Sequence, residues 1–192
     1  MRNILVTAPT SKSFSFIFKS DPSELFSLLS DIISLVKEQL PEEKYSPVIE
    51  GKCKLILTEL LTNAIKHSWA SETEVNVLIA QDYIEISKTD IGKAFYLPAF
   101  KERETLQWPL DATFTGKKIT IYEDDMCGLY GYIEQGQRVV FSAEDHPIPI
   151  PPRPRDMLEH FGLIILTKSA DEFIYEHNSL TRENTFTTKI LL

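Results

Sequence analysis

Cysteine is scarce in this sequence of 192 residues, which contains only Cys53 and Cys127. They lie far apart and share no metal-ligand spacing, and the four histidines are scattered, so the sequence predicts no zinc site. No apolar run approaches the roughly 18 residues of a membrane span. The first residues also lack the apolar core of a signal peptide. We therefore expect a protein of the reducing cytoplasm without a membrane partner.

Basic residues are outnumbered, with 20 Lys and Arg against 28 Asp and Glu, for a net charge of -8. A general nucleic-acid-binding protein needs a basic face that releases counterions from the phosphates. The charge therefore argues against direct nucleic-acid binding and against adsorption to anionic lipid. Neither a P-loop nor the G-x-S-x-G motif of serine hydrolases occurs.

What is present is the composition of a globular domain, with 43% hydrophobic and 25% charged residues. Period-two alternation predicts strands near residues 14–18, 74–80, 83–87, 172–176 and 186–192. Apolar residues at steps of three and four predict helices over about 22–40, 48–68 and 156–170. The order is strand, two helices, hairpin, a less regular segment, helix and two strands.

The less regular segment runs from residue 97 to residue 155. It contains strand patterns at 118–123, 128–133 and 139–141, and five of the 11 prolines follow them. Because strands and helices do not alternate strictly, we predict a two-layer α/β sandwich with a mixed, largely antiparallel sheet. Residues 1–192 would form one domain, with 97–155 as a β-rich insertion.

The second predicted helix carries Glu59, Asn63 and Lys66 along one edge of its apolar face. The three are neighbours because they are four and three residues apart. An amide oxygen suits Mg²⁺, a carboxylate can deprotonate a hydroxyl, and a lysine can neutralise phosphate. A solvated salt bridge between Glu59 and Lys66, with Asn63 as a tolerated polar residue, explains the same spacing.

Residues 59–67, Glu-Leu-Leu-Thr-Asn-Ala-Ile-Lys-His, resemble the N box of GHKL (Bergerat-fold) ATP-binding domains. The closest resemblance is to the anti-sigma factor serine/threonine kinases of that superfamily. Three more boxes follow in order: residues 90–95 resemble D-x-G-x-G-F, residues 161–165 resemble G-x-G-L, and residues 184–185 resemble a Gly-Thr pair. The resemblance implies a histidine kinase-like ATPase fold that binds ATP and Mg²⁺.

The resemblance also implies roles for single residues. Glu59 would activate a serine or threonine hydroxyl of a partner protein, Asn63 would hold Mg²⁺, and Lys66 would face the nucleotide. Asp90 would accept a hydrogen bond from the adenine amino group. Gly92 would let the base approach the backbone, which a residue without Cβ permits cheaply.

Two further boxes complete the implied nucleotide site. Gly162 and Leu163 would lie at the start of the last helix, where free N–H groups bind phosphate. Thr185 would help to hold Asp90 or a water near adenine. By the same resemblance the partner is an anti-anti-sigma protein or a sigma factor, acting in transcriptional or stress signalling, and a homodimer is compatible with it.

Three positions depart from the family pattern. Ala94, His160 and Asn184 stand where the family has glycine, and segment 97–155 is longer than the usual lid over ATP. A second hypothesis is therefore a degenerate, non-catalytic domain that serves as a protein-interaction module. A third is the catalytic half of a histidine kinase, which the absence of a preceding phospho-acceptor helix pair opposes.

Overall fold

The computed structural model describes residues 11–98, 105–124, 126–146 and 154–192. Three α-helices lie in this part of the chain: α1 (Pro22–Gln39), α2 (Pro47–Asn63) and α3 (Pro154–Ser169). The strands of the same ranges are β1 (Lys12–Phe18), β2 (Thr73–Ile79), β3 (Tyr83–Asp90), β4 (Tyr96–Pro98), β5 (Thr105–Gln107), β6 (Lys118–Glu123), β7 (Cys127–Ile133), β8 (Arg138–Asp145), β9 (Glu172–Asn178) and β10 (Glu183–Leu191).

The first two helices begin where the sequence predicts. Asp21 caps α1 by accepting a hydrogen bond from the Ser23 N–H, and Ser46 caps α2 by accepting one from the Ile49 N–H. A proline follows each cap in the first turn, where its missing N–H costs nothing. These helix starts are confirmed.

The end of the second helix differs from a regular α-helix. After Asn63 the chain forms a π-helical turn, Ala64–Ser68, and Trp69 then ends it with a φ of 58°. A π turn closes its hydrogen bonds over five residues rather than four, so it rotates the side chains that follow. The predicted end near residue 68 is confirmed, but the regular periodicity extrapolated to Lys66 is not.

The main sheet has eight strands in the order β1-β2-β3-β10-β9-β8-β7-β6, and every neighbouring pair is antiparallel. β4 and β5 form a separate two-stranded sheet. Strand accounts for 40% of the structure and helix for 34%. The protein is thus a mostly β fold with an antiparallel main sheet, and the predicted two-layer α/β sandwich with a mixed, largely antiparallel sheet is wrong.

The segment predicted as an insertion, residues 97–155, supplies many of the strands that make the fold mostly β. Its strands β6, β7 and β8 extend the main sheet, because β8 pairs with β9 through Val139 opposite Tyr175 and Val140 opposite Ile174. Sequence alternation identified these strands individually but did not identify their partners. The bounds 97–155 stay a prediction about the organisation of the domain.

The register divides the residues of interest between the two faces of the sheet. Asn184 pairs with Asp90, so these side chains share the face that packs on the core. Thr185 pairs with Thr89, and both belong to the outer face because neighbouring residues of a strand alternate. The core joins α2 residues such as Leu60 to strand residues of that face.

Within the described ranges, no helix has both the length and the apolar character needed to cross a membrane.

Candidate functional site

Glu59 and Asn63 lie one turn apart on α2 and face Gly162 of α3. A Cβ atom built on Gly162 would lie 2.7 Å from Glu59 Oε2 and 3.8 Å from both polar atoms of the Asn63 amide. The structure therefore brings together three residues that the sequence assigns to the nucleotide. A glycine at position 162 allows the two helices to approach closely.

Gly162 does not lie at a helix start. α3 begins at Pro154, so Gly162 and Leu163 belong to its interior. The N–H of an interior helical residue bonds to the carbonyl four residues earlier and is not available to a ligand. Leu163 packs against the core, and its carbonyl accepts a 2.7 Å hydrogen bond from Thr167 Oγ1. The predicted phosphate-binding N–H groups are therefore engaged within the helix.

Burial between α2 and α3 is the main influence on the ionisation of the Glu59 carboxyl group. Partial burial raises the pKa of its carboxyl above the ordinary value, and the positive charge of Lys66 opposes that shift. No ion pair joins these two side chains in the part of the chain that the structure describes. Lys66 is exposed on the π-helical turn. The alternative interpretation of the spacing, a Glu59–Lys66 salt bridge, is therefore not observed among the described residues.

Asp90 is buried on the core face at the end of β3, with 4% of its surface exposed. Lys88 Nζ lies 2.6 Å from its Oδ2 atom. The Gly92 N–H donates to Oδ1 at 3.0 Å, and Asn184 Nδ2 donates to the same atom at 3.4 Å. Oδ1 is therefore hydrogen-bonded within the chain, whereas Oδ2 has the Lys88 ammonium as its charge partner and accepts no hydrogen bond among the described residues.

Sequence reasoning missed Lys88. The signal was available, because alternation along β3 places Lys88 on the same face as the buried Ile84 and Ile86. A lysine at such a position is almost never fully buried without a partner. Asp90, two residues further on the same face, was the natural candidate for the partner of Lys88.

Gly92 lies against the backbone of the π-helical turn. A Cβ at this position would overlap the carbonyl oxygen of Ser68, and the Lys93 N–H donates to that oxygen at 2.7 Å. No side chain therefore fits at this position without a shift of the backbone. The close neighbour is Ser68, whereas the resemblance predicted an adenine base.

Asn184 replaces a family glycine, and its side chain is held in a buried network. Its Oδ1 accepts a hydrogen bond from the Tyr175 hydroxyl at 2.7 Å and lies 3.0 Å from His177 Nδ1. Burial raises the pKa of Tyr175, and the Phe95 ring packs on it with centroids 4.6 Å apart. Asn184 thus links these side chains to Asp90 Oδ1, while Asp90 also lines the open depression next to Trp69.

The remaining predicted residues lie elsewhere. The Thr185 hydroxyl is 3.1 Å from that of Thr89 on the outer face, so Thr185 does not support Asp90. Ala94 is half-buried. The side chain of His160, the third substituted glycine position, lies outside the described residues.

The donors for ATP and Mg²⁺ are only partly assembled. Asn63 and Glu59 offer two oxygen ligands, which suits a Mg²⁺ ion that keeps several waters. At Asp90, Oδ1 is hydrogen-bonded within the chain, whereas Oδ2 is buried beside the Lys88 ammonium and accepts no hydrogen bond among the described residues. No cluster of three or more His, Cys, Asp or Glu residues that could hold a metal occurs among the described residues. Nor does any hydrogen bond or ion pair between described residues link Glu59 or Asn63 to Asp90.

Two open depressions lie at the end of the sheet where β3 and β9 finish and β10 begins. The Trp69 depression, of about 500 Å³, is lined by residues that include Ile17, Trp69, Glu72, Glu74, Ile91 and Glu183. The Glu176 depression, of about 520 Å³, is lined by residues that include Gln137, Glu176, His177, Glu183 and Thr185. Glu59 and Asn63 line neither of them.

Neither protein-family models nor curated proteins match this chain. Membership of the GHKL superfamily therefore stays a prediction that depends on the four sequence boxes. The functional inference depends on the contacts that the residues of these boxes make.

Proposed function

We propose that this chain is a regulatory protein-interaction module without catalytic activity, whose sequence boxes resemble those of GHKL ATP-binding domains. The observation that carries this proposal is the state of Asp90. Its buried carboxylate accepts hydrogen bonds from Gly92 and Asn184 at Oδ1 and forms an ion pair with Lys88 at Oδ2, so the group that would read adenine is used to hold the protein together. Oδ2 accepts no hydrogen bond among the described residues.

The free energies of the two interactions favour Lys88 over adenine as the partner of Asp90. If adenine displaced Lys88 from Asp90, the ammonium would stay buried without a counter-charge, and breaking a buried ion pair costs about 3–5 kcal/mol. A hydrogen bond between an amino group and a charged acceptor contributes about 1.5–3 kcal/mol. The exchange is therefore unfavourable unless other contacts to the nucleotide offset it.

The region predicted to bind the phosphates, at Gly162 and Leu163, also argues against nucleotide binding. The N–H groups at Gly162 and Leu163 become free only if α3 unwinds from Pro154 to beyond its middle. Such unwinding would also separate Gly162 from the side chains of Glu59 and Asn63. The predicted phosphate-binding region thus requires local unfolding before its N–H groups can bind a ligand.

The test is a thermal melt with and without millimolar Mg-ATP. A ligand present at 100 times its Kd stabilises a protein by about 2.7 kcal/mol, which a melt detects readily. We expect no shift beyond that caused by Mg²⁺ alone. A saturable shift with Mg-ATP would overturn the proposal.

A second candidate is an ATP- and Mg²⁺-binding regulator with serine/threonine kinase activity. The observation that favours it is the adjacency of Asn63 to Glu59, a carboxyl whose pKa is raised by burial and which could act as a general base. In this case the Mg-ATP shift is present and is lost in Asn63→Ala. It is retained in Leu55→Ala, a control at an exposed position of the same helix.

We infer the class of partner and the cellular location from the sequence. The acidic charge favours a protein partner over nucleic acid or anionic lipid, and we place the protein in the cytoplasm. By resemblance the partner is an anti-anti-sigma protein or a sigma factor, and homodimerisation is compatible with the proposal.

A further inference from the structure

Three large apolar side chains are exposed around the Trp69 depression. Trp69 is 84% exposed, Ile91 62% and Ile17 57%. They come from three different parts of the chain and line one depression of about 500 Å³. Single exposed apolar residues are common, but a group of them at a concave place is typical of an interaction site.

The backbone holds Trp69 in this exposed position. Its φ of 58° lies in the left-handed region, which is strained for a bulky residue. Ser68 fixes the turn: its hydroxyl donates to the Ala64 carbonyl at 2.7 Å and accepts from the Ala70 N–H at 3.2 Å. The Ser68 carbonyl also accepts the Lys93 N–H. The exposure of the indole is therefore maintained by buried contacts against backbone strain.

Carboxylates surround these apolar side chains. Glu72, Glu74 and Glu183 line the Trp69 depression, and none forms an ion pair with a cation among the described residues. Ser15 Oγ donates to Glu74, and Thr181 Oγ1 donates to Glu183, but hydroxyl donors leave the negative charge in place. The rim is thus negative without compensation.

The Trp69 and Glu176 depressions form one continuous surface, because both include Glu183. At the second one, Glu176 shares Arg138 with two other carboxylates, Glu134 and Glu172. The sheet register aligns a row of opposed residues across this surface: Ile17, Glu74, Thr89, Thr185, Glu176 and Arg138.

The length of this row sets the size of an occupant. Six adjacent strands about 4.8 Å apart span roughly 24 Å. An extended peptide of about seven residues, at roughly 3.3 Å per residue, covers the same distance. We call the surface made of the two depressions the acidic groove.

We propose that the acidic groove, through Trp69, Ile91, Glu72, Glu74 and Glu183, binds an extended basic segment of another protein that carries Lys or Arg residues beside an apolar side chain. The apolar side chain packs against Trp69 and Ile91. The basic side chains pair with the carboxylates of the rim. The inference deepens the proposed function, on which it depends for the class of partner.

Charge complementarity separates this occupant from the alternatives. A second copy of the chain also carries a net charge of -8, so it would meet the acidic rim with like charge. Nucleic acid and anionic lipid are repelled for the same reason. A basic protein segment is attracted, and its attraction weakens as salt screens the charges.

The experiment uses the full chain and a fluorescein-labelled heptapeptide of six lysines around a central phenylalanine. Fluorescence anisotropy at low salt measures its Kd for the wild type, for Trp69→Ala and for the double variant Glu74→Lys, Glu183→Lys. We expect each variant to weaken binding about tenfold or more, which corresponds to about 1.4 kcal/mol. Added salt should weaken wild-type binding.

Matched variants control for general effects. Phe26→Ala removes another exposed aromatic, 78% exposed on α1, and the double variant Glu42→Lys, Glu43→Lys makes the same change of net charge at an exposed turn. Both should bind like the wild type, and melts of all variants verify folding. If the control charge reversal weakens binding as much as the groove reversal, the attraction belongs to the net charge and the proposal is wrong.

Two further outcomes would also overturn it. If the wild type does not bind the peptide at low salt, the groove does not take a basic segment. If sedimentation shows a dimer that Trp69→Ala converts to a monomer, the surface is a contact between two copies. The Mg-ATP melt is independent of these measurements, so failure of the non-catalytic proposal and failure of the groove proposal are distinguishable.

Discussion

Lys88 Nζ lies 2.6 Å from Asp90 Oδ2, and both side chains are almost completely buried, at 4% and 2% exposure. The two residues are adjacent on the core face of β3, where the Phe186 ring also faces the ammonium at 5.1 Å. An ion pair in this environment lacks competing water. It makes Asp90 part of the interior of the protein, although its motif suggests a ligand-binding role.

Asp90→Asn should destabilise the protein by about 3–5 kcal/mol, because it leaves the Lys88 ammonium buried without a counter-charge. The double variant Lys88→Met, Asp90→Asn should recover much of that loss. Lys118→Met, which breaks the exposed pair with Glu144, should cost less than about 1 kcal/mol. Denaturant unfolding measures all three, and equal costs for Asp90→Asn and Lys118→Met would contradict the importance of the buried pair.

Two glycine-to-alanine substitutions should change stability in opposite directions. Gly92→Ala places a Cβ on the Ser68 carbonyl, a backbone atom that cannot rotate away, so we expect a loss above about 2 kcal/mol. Gly51→Ala, inside α2 with open space around it, should stabilise by up to about 1 kcal/mol. Thermal melts decide the sign of each change. A stable Gly92→Ala variant would show that the turn at Ser68 yields easily.

Glu59→Gln should raise the melting temperature slightly at pH 7. Burial raises the pKa of Glu59 above its ordinary value of 4.5, so the ionised carboxylate is less favourable in the folded than in the unfolded state. This cost is absent below 4.5, develops as the pH rises through the interval up to the raised pKa, and is complete above it.

The advantage of Glu59→Gln should therefore vanish when melts are recorded at pH 4. Glu43→Gln, at an exposed turn, controls for the loss of one negative charge. An equal gain from both variants at pH 7 would mean that net charge, not the environment of Glu59, causes it.

Native Cys53 should react very slowly with a thiol reagent at pH 8. The side chain is fully buried, and burial raises its pKa to about 12, so little reactive thiolate forms. Cys127→Ser isolates this thiol, and denaturant should restore a fast reaction. Rapid modification without denaturant would show that α2 opens readily around Cys53.

The local features of the fold could be predicted because short stretches encode them. Asp21 and Ser46, each followed by proline, specify the helix starts, and alternation alone marks strands such as Lys118–Glu123. The proximity of Glu59 and Asn63 follows from helical spacing. The contact of both with Gly162 required the family resemblance, because these helices are about 100 residues apart in sequence.

The sequence alone determined most of the helices and strands and the net negative charge, since local periodicity and composition decide these, whereas the glycine at position 92 was singled out through the family resemblance. The tertiary structure alone decided that β8 pairs with β9 and that the Lys88 ammonium meets the Asp90 carboxylate. An alternating pattern matches many strand partners equally well. The choice among them, and hence which groups remain available for function, depends on contacts between residues far apart in the chain.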